Sequence, residues 1–340
     1  MRLVRYTLWA LLFCLAGCSR EPLYQSQSYV FGTLVDISIY GETDARAQQV
    51  AGHIQQEFQR LHDNLHAWKP GGELYHLNTA FAAGQSTTVS PEVANILQQA
   101  TLVSQRSDGL FNPAIGGLIG LWGFQRDEFT PVSPDPKQIT ALVKANPSMT
   151  DLVIAGPTVS SRNPAVKLDL GGYAKGYALD LAADYLRQQK IKNALINIGG
   201  NIIAIGQHGS HPWHVGIQHP RHAGAMATLD LPDGWAIGTS GDYQRYFELN
   251  GKRYCHIIDP RTGFPAEGVQ AVTVLIPPQE HAGALSDADS KPLFISGSEH
   301  WREAAQKLGL QYAMLIDKNG AIQLTPGMRQ RIRLETSDAH

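Results

Sequence analysis

The chain has 340 residues, of which 43% are hydrophobic and 17% are charged, and its formal net charge is −2. This composition is typical of a globular protein with a sizeable core, and it excludes an intrinsically disordered chain. The sequence contains no basic tract, which argues against a nucleic-acid partner.

The N terminus has the pattern of an export signal. Arg2 and Arg5 precede an apolar run over residues 8–15, which is too short for a stable bilayer span. The run ends in Leu-Ala-Gly before Cys18, an order typical of a lipoprotein signal peptide. Residues 1–17 are therefore predicted to be removed and Cys18 to be acylated; an ordinary secretory signal with a chance cysteine is the alternative.

The cysteines agree with an exported, lipid-anchored chain. Residues 18–28 are predicted to form a tether, and residues 29–335 a folded domain on the periplasmic side of a bacterial membrane. Once Cys14 leaves with the signal and Cys18 carries lipid, only Cys255 remains, so no internal disulfide is possible. Core packing must then stabilise the domain.

Beyond the tether, the sequence predicts helices and strands without a regular βαβ rhythm. Helices are predicted over residues 43–68, from the capping pair at 90–91, over 174–189 and from residue 298. Strands are predicted over residues 29–40, 194–198, 201–205, 213–218, 235–239, 246–249, 253–258, 270–276 and 311–316. The Asn-Gly pair at 250–251 predicts a hairpin. The predicted fold class is therefore α+β, with mixed sheets and packed helices.

The segment over residues 169–177, Asp-Leu-Gly-Gly-Tyr-Ala-Lys-Gly-Tyr, is the most informative motif. Two glycines join an apolar strand end to a helix N terminus, where unpaired N–H groups attract anions. Lys175 adds a positive charge within the first turn. The segment suits a phosphate or a pyrophosphate, although a tight turn with a solvated lysine explains it equally well at this point.

A second motif, His-Ile-Ile-Asp-Pro-Arg-Thr-Gly over residues 256–263, follows a predicted strand. Strand alternation places the side chains of His256 and Ile258 on one face and that of Cys255 on the other. Cys255 and His256 therefore cannot form a nucleophile–base pair. His256 is either an acid–base group or a hydrogen-bonded structural residue.

Three further segments have more than one interpretation. Residues 108–113, with the Leu-Trp-Gly-Phe sequence at 121–124, suit either stacking on a flat ring or ordinary core packing. The carboxylates within residues 286–290 suit either a hard cation such as Mg²⁺ or a helix cap. Residues 239–243 form a polar turn after a predicted strand and are a further candidate. The sequence lacks the GxxxxGK[ST], GxGxxG and HExxH patterns and any Cys-rich zinc pattern.

Taken in order, these segments resemble the ApbE family of FAD:protein FMN transferases. The resemblance covers nearly the whole mature chain and rests on residues 31–33, 68–78, 108–113, 169–176, 197–201, 240–243 and 256–263. Each segment is weak alone, but seven in the family's order are not a chance match. The resemblance implies a T-fold-like, two-lobed single unit of α+β class that holds FAD between its lobes.

The resemblance also implies roles for individual residues. Those expected to contact FAD are Phe31, Trp68, Gly109, Leu110, Phe111, Asp169, Lys175 and Ile257. The backbone of Gly172 and the carboxylate of Asp287 are expected to hold Mg²⁺ at the pyrophosphate. Lys175 and His256 are the expected catalytic side chains, with His256 close to the reacting phosphate.

The implied activity is Mg²⁺-dependent transfer of FMN from FAD to a Thr or Ser hydroxyl of an acceptor protein, with release of AMP. Acceptors in the family are typically membrane redox subunits exposed outside the cytoplasm. Two alternatives use the same fold: a pyrophosphatase that cleaves FAD to FMN and AMP, and a non-enzymatic FAD-binding lipoprotein. A solute-binding lipoprotein for transport fits the signal but not the internal motifs.

The sequence departs from the family pattern at Lys291, where the family has a Thr four residues after its metal-binding Asp. A charged ammonium group has no lone pair and cannot ligate Mg²⁺. Three outcomes are open: Asp289 or Ser290 replaces the missing ligand, Lys291 neutralises the pyrophosphate itself, or the transferase is weakened to an FAD binder. Pro292 disfavours helical geometry at Lys291.

Overall fold

The structure is a computed structural model that describes residues 22–126 and 128–335. The predicted signal peptide and the predicted lipidation site, Cys18, lie outside these ranges. Within the ranges, no helix has both the length and the apolar composition that crossing a bilayer requires.

Helices and strands are interleaved along the chain, which confirms the predicted α+β class. The helices are α1 (Asp44–Asn64), α2 (Glu73–Ala82), α3 (Pro91–Arg106), α4 (Gly116–Leu121), α5 (Pro136–Ala145), α6 (Ala174–Gln188), α7 (Ala282–Lys307) and α8 (Pro326–Arg329). The strands are β1 (Leu23–Val30), β2 (Thr33–Tyr40), β3 (Thr87–Thr88), β4 (Leu152–Ala155), β5 (Thr158–Ser161), β6 (Asn193–Ile198), β7 (Asn201–Ile205), β8 (Trp213–Gln218), β9 (Ala225–Leu231), β10 (Ala236–Gly241), β11 (Tyr246–Leu249), β12 (Lys252–Cys255), β13 (Val269–Ile276), β14 (Tyr312–Asp317), β15 (Ile322–Leu324) and β16 (Ile332–Leu334).

The main sheet has eight antiparallel strands in the spatial order β1-β2-β6-β7-β10-β13-β14-β15. Strands β8, β9 and β16 form a second sheet, β3 to β5 form a third, and β11 pairs with β12. Strand β13 is buried along its whole length: Val272 and Val274 face the core of α7, whereas Ala271 and Leu275 face the core of β8 and β9. The main sheet is therefore a middle layer between helices and the second sheet.

The first hairpin corrects two sequence predictions. The sequence predicts one strand over residues 29–40, but β1 and β2 pair as two strands. Phe31 and Gly32 form the turn with φ of 57° and 71°, and positive φ at both positions is what a type I′ turn requires. The tether predicted over residues 18–28 is wrong for residues 23–28, which belong to β1 and alternate between exposed and half-buried as an edge strand does.

Helix α7 carries most of the candidate site. The sequence prediction that Pro292 disfavours helical geometry at Lys291 is wrong. The helix runs through Lys291 and Pro292 and departs from helical geometry only at Gly297, where φ is 72°. A proline within a helix costs about 3 kcal/mol. The following residues Leu293 and Phe294 are fully buried, and their packing offsets that cost.

Glycines let α7 approach α6 and β10 closely. A Cβ atom on Gly176 would overlap the carbonyl oxygen of Gly283, and a Cβ atom on Gly238 would overlap that of Ser286. Asp180 of α6 then caps α7, because its carboxylate accepts the N–H groups of Gly283 and the next residue at 2.7 and 2.8 Å. This cap fixes the register of α6 against α7.

Candidate active site

The centre of the candidate site is the buried carboxylate of Asp287, which is 1% exposed. The ammonium group of Lys291, one turn later on α7, contacts Oδ1 of Asp287. On the other side, Lys175 Nζ lies 3.5 Å from Oδ2, and the Gly176 N–H donates to Oδ2 at 3.2 Å. Burial alone would raise the pKa of Asp287, but the charges of Lys175 and Lys291 outweigh it and lower the pKa to about 2. Asp287 is therefore ionised.

Lys291 lies between Asp287 and the glycine loop. Its Nζ donates to the backbone carbonyl of Asp287 at 2.5 Å, in addition to the carboxylate contact. A Cβ atom on Gly172 would lie only 3.2 Å from Cε of Lys291, so the glycine leaves room for the lysine chain. Burial lowers the pKa of Lys291 to about 8, although Asp287 opposes that shift.

These residues do not fit the predicted magnesium ion. Lys291 and Lys175 already neutralise the Asp287 carboxylate, and an ammonium group supplies no lone pair. The two predicted replacements are engaged elsewhere: Asp289 accepts hydrogen bonds from Arg106, and Ser290 Oγ lies 2.6 Å from Ser240 Oγ. Across residues 22–126 and 128–335, no group of three or more His, Cys, Asp and Glu side chains could hold a metal ion.

The loop before α6 is held rigidly by Asp169. Its Oδ2 accepts a hydrogen bond from Trp68 Nε1 at 2.8 Å, and its Oδ1 accepts the Gly171 N–H at 2.9 Å. Lys175 Nζ donates back to the Gly171 carbonyl at 3.1 Å. Lys167 lies over the Trp68 ring, with Nζ 3.9 Å from the ring centroid. Two predicted FAD contacts, Trp68 and Asp169, are therefore joined directly to the predicted anion-binding loop.

His256 is a neutral imidazole with a defined tautomer. Its Nδ1 lies 3.2 Å from the carbonyl oxygen of Arg245, which only accepts, so Nδ1 carries the proton and Nε2 carries the lone pair. Burial, followed by the positive charges of Arg245, Lys175 and Lys291, lowers the pKa of His256 to about 3. The same lysines that surround Asp287 therefore act on His256 and keep its ring neutral, so that Nε2 has a free lone pair, although the low pKa makes it a weak base in the free protein.

Cys255 is separated from this chemistry, as predicted. Its side chain is buried and donates to the carbonyl of Ala266 at 3.5 Å, and burial raises the pKa of the thiol to about 12. The predicted strand alternation does not continue past Cys255, because β12 ends there and both Ile257 and Ile258 are buried. Cys255 is therefore a structural thiol.

The predicted flavin-side residues have different environments. Phe31 is half-buried and packs edge-on against His62, with ring centroids 5.7 Å apart. Gly109 and Leu110 are also half-buried, whereas Phe111 and Ile257 are buried in the core. Phe111 still reaches the glycine loop, because a Cβ atom on Gly172 would lie 3.8 Å from its ring. The side chain of Ile257 packs inside the protein, so a contact with FAD would involve its backbone.

Two clefts of the described surface lie away from Asp287. One cleft of about 290 Å³ is lined by residues of β8, β9, β16 and the segment before β16, including His214 and Arg331. Another, of about 200 Å³, is lined by Leu110 and Pro292 among others. Neither is lined by Asp287, and the first lies at the second sheet. The paired charges and the helix N terminus are therefore better guides to the site than cavity size.

Three structurally important residues have no individual signal in the sequence. Arg106 binds both oxygens of Asp289, at 2.8 and 2.9 Å, across 183 positions of sequence. Lys167 stacks on Trp68, and Asp180 caps α7. Each role depends on a tertiary contact. Only Lys167, two residues before the glycine motif, has a sequence position that indicates it lies near the site.

The fold and the site define an α+β protein with a glycine loop at a helix N terminus, two half-buried lysines on one buried carboxylate and a neutral histidine. Residues 31–316 match the ApbE family, and the chain belongs to that family.

Several named relatives are similar to the chain over most of its length. It is 44% identical over 304 residues to the FAD:protein FMN transferase of Rhodobacter capsulatus, a match that covers 89% of this chain and 57% of that relative. The chain thus spans little more than half of that protein's length. It is 35% identical over 263 residues to an FAD:protein FMN transferase of Klebsiella pneumoniae, covering 76% and 78% of the two chains.

Solved structures agree with the fold. The ApbE protein of Thermotoga maritima superposes with a TM-score of 0.82 at 28% identity, covering 91% of this chain and 99% of that one. The apo form of the flavinyl transferase ApbE of Pseudomonas stutzeri gives 0.80 at 26% identity, covering 92% and 98%.

Proposed function

We propose that this protein is an FAD:protein FMN transferase, which moves FMN from FAD to a Thr or Ser hydroxyl of an acceptor protein and releases AMP. The observation that carries the proposal is the placement of Lys175 and Lys291 on the Asp287 carboxylate at the N terminus of α6, with the charges of both lysines also acting on His256. The names of the similar proteins support the same activity.

The N terminus of α6, Lys175 and Lys291 bind the pyrophosphate of FAD. Asp287 holds both ammonium groups before the substrate arrives, so little reorganisation is needed during the reaction. One carboxylate and two ammonium groups leave one positive charge. That charge stabilises the negative charge that develops on AMP as it leaves.

His256 accepts the proton of the attacking hydroxyl. As the hydroxyl oxygen bonds to the phosphorus of the FMN half, Nε2 takes the proton and the bond between that phosphorus and the AMP oxygen breaks. The hydrogen bond from Nδ1 to the Arg245 carbonyl keeps Nε2 in the accepting tautomer. Negative charge on the bound pyrophosphate favours the imidazolium that forms, against the lysine charges that lower its pKa in the free protein.

The pyrophosphatase alternative uses the same groups, with water in place of the acceptor hydroxyl. Transfer is favoured because the two relatives described above are transferases by name. Magnesium, which the sequence resemblance implies, has no step in this mechanism because the residues around Asp287 do not fit the ion.

The chain acts at the periplasmic side of a bacterial membrane, anchored by lipid on Cys18, and its acceptor is a membrane redox subunit. The residue order before Cys18 supports the anchor. Metabolic labelling with palmitate tests this: the label should enter the wild-type chain and be absent from Cys18→Ala. Equal labelling of both would contradict the anchor at this residue.

The activity is tested by incubating the purified protein with FAD and an acceptor domain that carries a flavinylation Thr. We expect flavin fluorescence on the denatured acceptor and AMP in equal amount. The same acceptor with that Thr replaced by Val is the control and should stay unlabelled. AMP and free FMN without labelled acceptor would instead support the pyrophosphatase, and FAD binding without AMP would support the binder.

A further inference from the structure

We propose that Lys291 is a built-in cation that takes the place of a divalent metal ion at Asp287, so that the site binds its pyrophosphate substrate without bound metal. The identity of the substrate rests on the proposed function. The statement about the metal rests on the geometry around Asp287 alone.

The ammonium group of Lys291 occupies the space between Asp287 and the glycine loop. It contacts Oδ1 of the Asp287 carboxylate and lies 2.5 Å from the Asp287 carbonyl oxygen, so it bridges two oxygen atoms of one residue. The aliphatic part of its side chain passes under Gly172, where a Cβ atom would lie 3.2 Å from Cε. This is the position between Gly172 and Asp287 at which the family resemblance implies Mg²⁺.

A divalent ion could reach Asp287 only by displacing this ammonium group. Mg²⁺ binds oxygen at about 2.0–2.1 Å and requires near-octahedral coordination. Lys291 instead supplies a positive charge where the ion would need an oxygen ligand, and Lys175 adds a second positive charge 3.5 Å from the other carboxylate oxygen. Two cations already neutralise the single carboxylate, so the electrostatic reason to bind a metal ion is removed.

The neighbouring oxygen atoms on α7 are also engaged. Ser290 Oγ donates to the Asp287 carbonyl at 2.8 Å and shares a short hydrogen bond with Ser240. Asp289 lies on a different side of the helix, where both of its oxygens bind Arg106. Lys291 has only 14% of its side chain exposed, which keeps the ammonium group at the carboxylate rather than in solvent. The ammonium group of Lys291 therefore supplies, at the Asp287 carboxylate, the positive charge that a metal ion would otherwise supply.

The direct test is metal binding, measured with Mn²⁺ by electron paramagnetic resonance on the purified protein after chelation and dialysis. Mn²⁺ prefers the same oxygen ligands as Mg²⁺. We expect wild-type protein to bind no stoichiometric Mn²⁺, with or without FAD. We expect Lys291→Thr, which removes the ammonium group and offers a hydroxyl oxygen, to bind one Mn²⁺ per chain in the presence of FAD.

The functional test compares the rate of FMN transfer in EDTA with the rate in added Mg²⁺. We expect the wild-type rate to be the same in both, and the Lys291→Thr rate to be at least about tenfold lower in EDTA than in Mg²⁺. Lys291→Met removes the charge without supplying an oxygen atom, and we expect it to be slow in both conditions. Lys318→Thr, which removes an exposed lysine just after β14, is the control and should behave as wild type.

Stoichiometric Mn²⁺ binding by the wild-type protein, or loss of its transfer activity in EDTA, would overturn the proposal. Because both results come from wild-type protein, they hold even if the variants fold poorly. Failure of the proposed function looks different: no acceptor is labelled under any condition, while the Mn²⁺ measurement still reports on the site.

Discussion

At the residue scale, the site is organised by one buried negative charge. A buried ion is costly unless it is paired, and Asp287 is paired by two lysines and a backbone N–H group. The family resemblance implies that Lys175, Gly172 and Asp287 belong to one pyrophosphate site, and in the structure Lys175 Nζ lies 3.5 Å from Asp287 Oδ2 while Lys291 reaches from Asp287 to Gly172.

The sequence could not show what replaces the metal ligand. It left Asp289, Ser290 and Lys291 as open alternatives, and only the helical path through Pro292 decides among them. That path places Lys291 one turn after Asp287 and turns Asp289 toward Arg106. The partner of Asp289 is Arg106 on α3, so no local sequence pattern indicates this contact.

Replacing His256 by Gln tests the proton acceptor. The variant retains a polar side chain but has no basic nitrogen, so we expect FMN transfer to fall by about 10²–10⁴-fold while the Kd for FAD stays nearly the same. Steady-state rates and flavin fluorescence titration measure the two quantities. Loss of FAD binding in proportion to the loss of rate would show that His256 is a binding residue instead.

The pH profile of the wild-type protein gives a second check on His256. Its pKa of about 3 lies below the ordinary value of 6.5, so the imidazole is already neutral throughout the neutral range. The unprotonated form of His256 is therefore fully populated across this range. We expect kcat/KM to show no decrease on the acid side near pH 6.5. A decrease there would contradict the neutral state of His256 in the free protein.

At the scale of elements, the close contact between α6 and α7 brings Lys175 to Asp287. The sequence predicts the helix over residues 174–189 from its apolar periodicity, and the structure has it at Ala174–Gln188. It does not predict the start of α7, because His281 has a left-handed conformation and makes no side-chain cap. The cap comes from Asp180 on another helix, which no local signal reveals.

The helix contact is tested by adding a methyl group at Gly176. The Cβ atom would overlap the Gly283 carbonyl oxygen, so we expect Gly176→Ala to lower the free energy of unfolding by about 3 kcal/mol or more. Gly52→Ala on α1 is the matched control. Nothing lies within 4 Å of its added Cβ atom, and we expect a gain of about 0.5–1 kcal/mol. Urea denaturation measures both, and equal effects would contradict the close helix contact.

The cap on α7 should also appear in the pH dependence of stability. Burial raises the pKa of Asp180 from 3.8 to about 6 although two N–H groups oppose the shift. A folded-state pKa above the unfolded value means that the folded protein binds the proton more tightly. The contribution of Asp180 to stability is therefore greatest below pH 3.8 and falls as the pH rises through about 6.

We therefore expect the difference in unfolding free energy, wild type minus Asp180→Asn, to fall between pH 3.8 and about 6. Asp184→Asn changes an exposed carboxylate on the same helix and serves as the control. Urea denaturation across this pH range measures the difference. A constant difference for Asp180→Asn would show that its carboxylate does not titrate as a buried cap.

At the scale of the whole molecule, the antiparallel main sheet carries helices on one face and the second sheet on the other. The predicted strands over residues 194–198, 201–205 and 270–276 become β6, β7 and β13. The apolar runs of β7 and β13 mark strands buried on both faces, whereas β6 alternates between half-buried and buried residues. The polar edge strand β1 was missed, since its side chains are exposed or half-buried and carry little hydrophobic signal.

The most direct test of the site as a whole compares the Kd for FAD with that for riboflavin in wild type and in Lys175→Met. Riboflavin shares the flavin ring but lacks the pyrophosphate. We expect Lys175→Met to weaken FAD binding by about ten- to a hundredfold, the value of a charge-assisted contact, and to leave riboflavin binding unchanged. Equal loss for both ligands, or no loss for FAD, would contradict a pyrophosphate site formed by Lys175, Lys291 and Asp287.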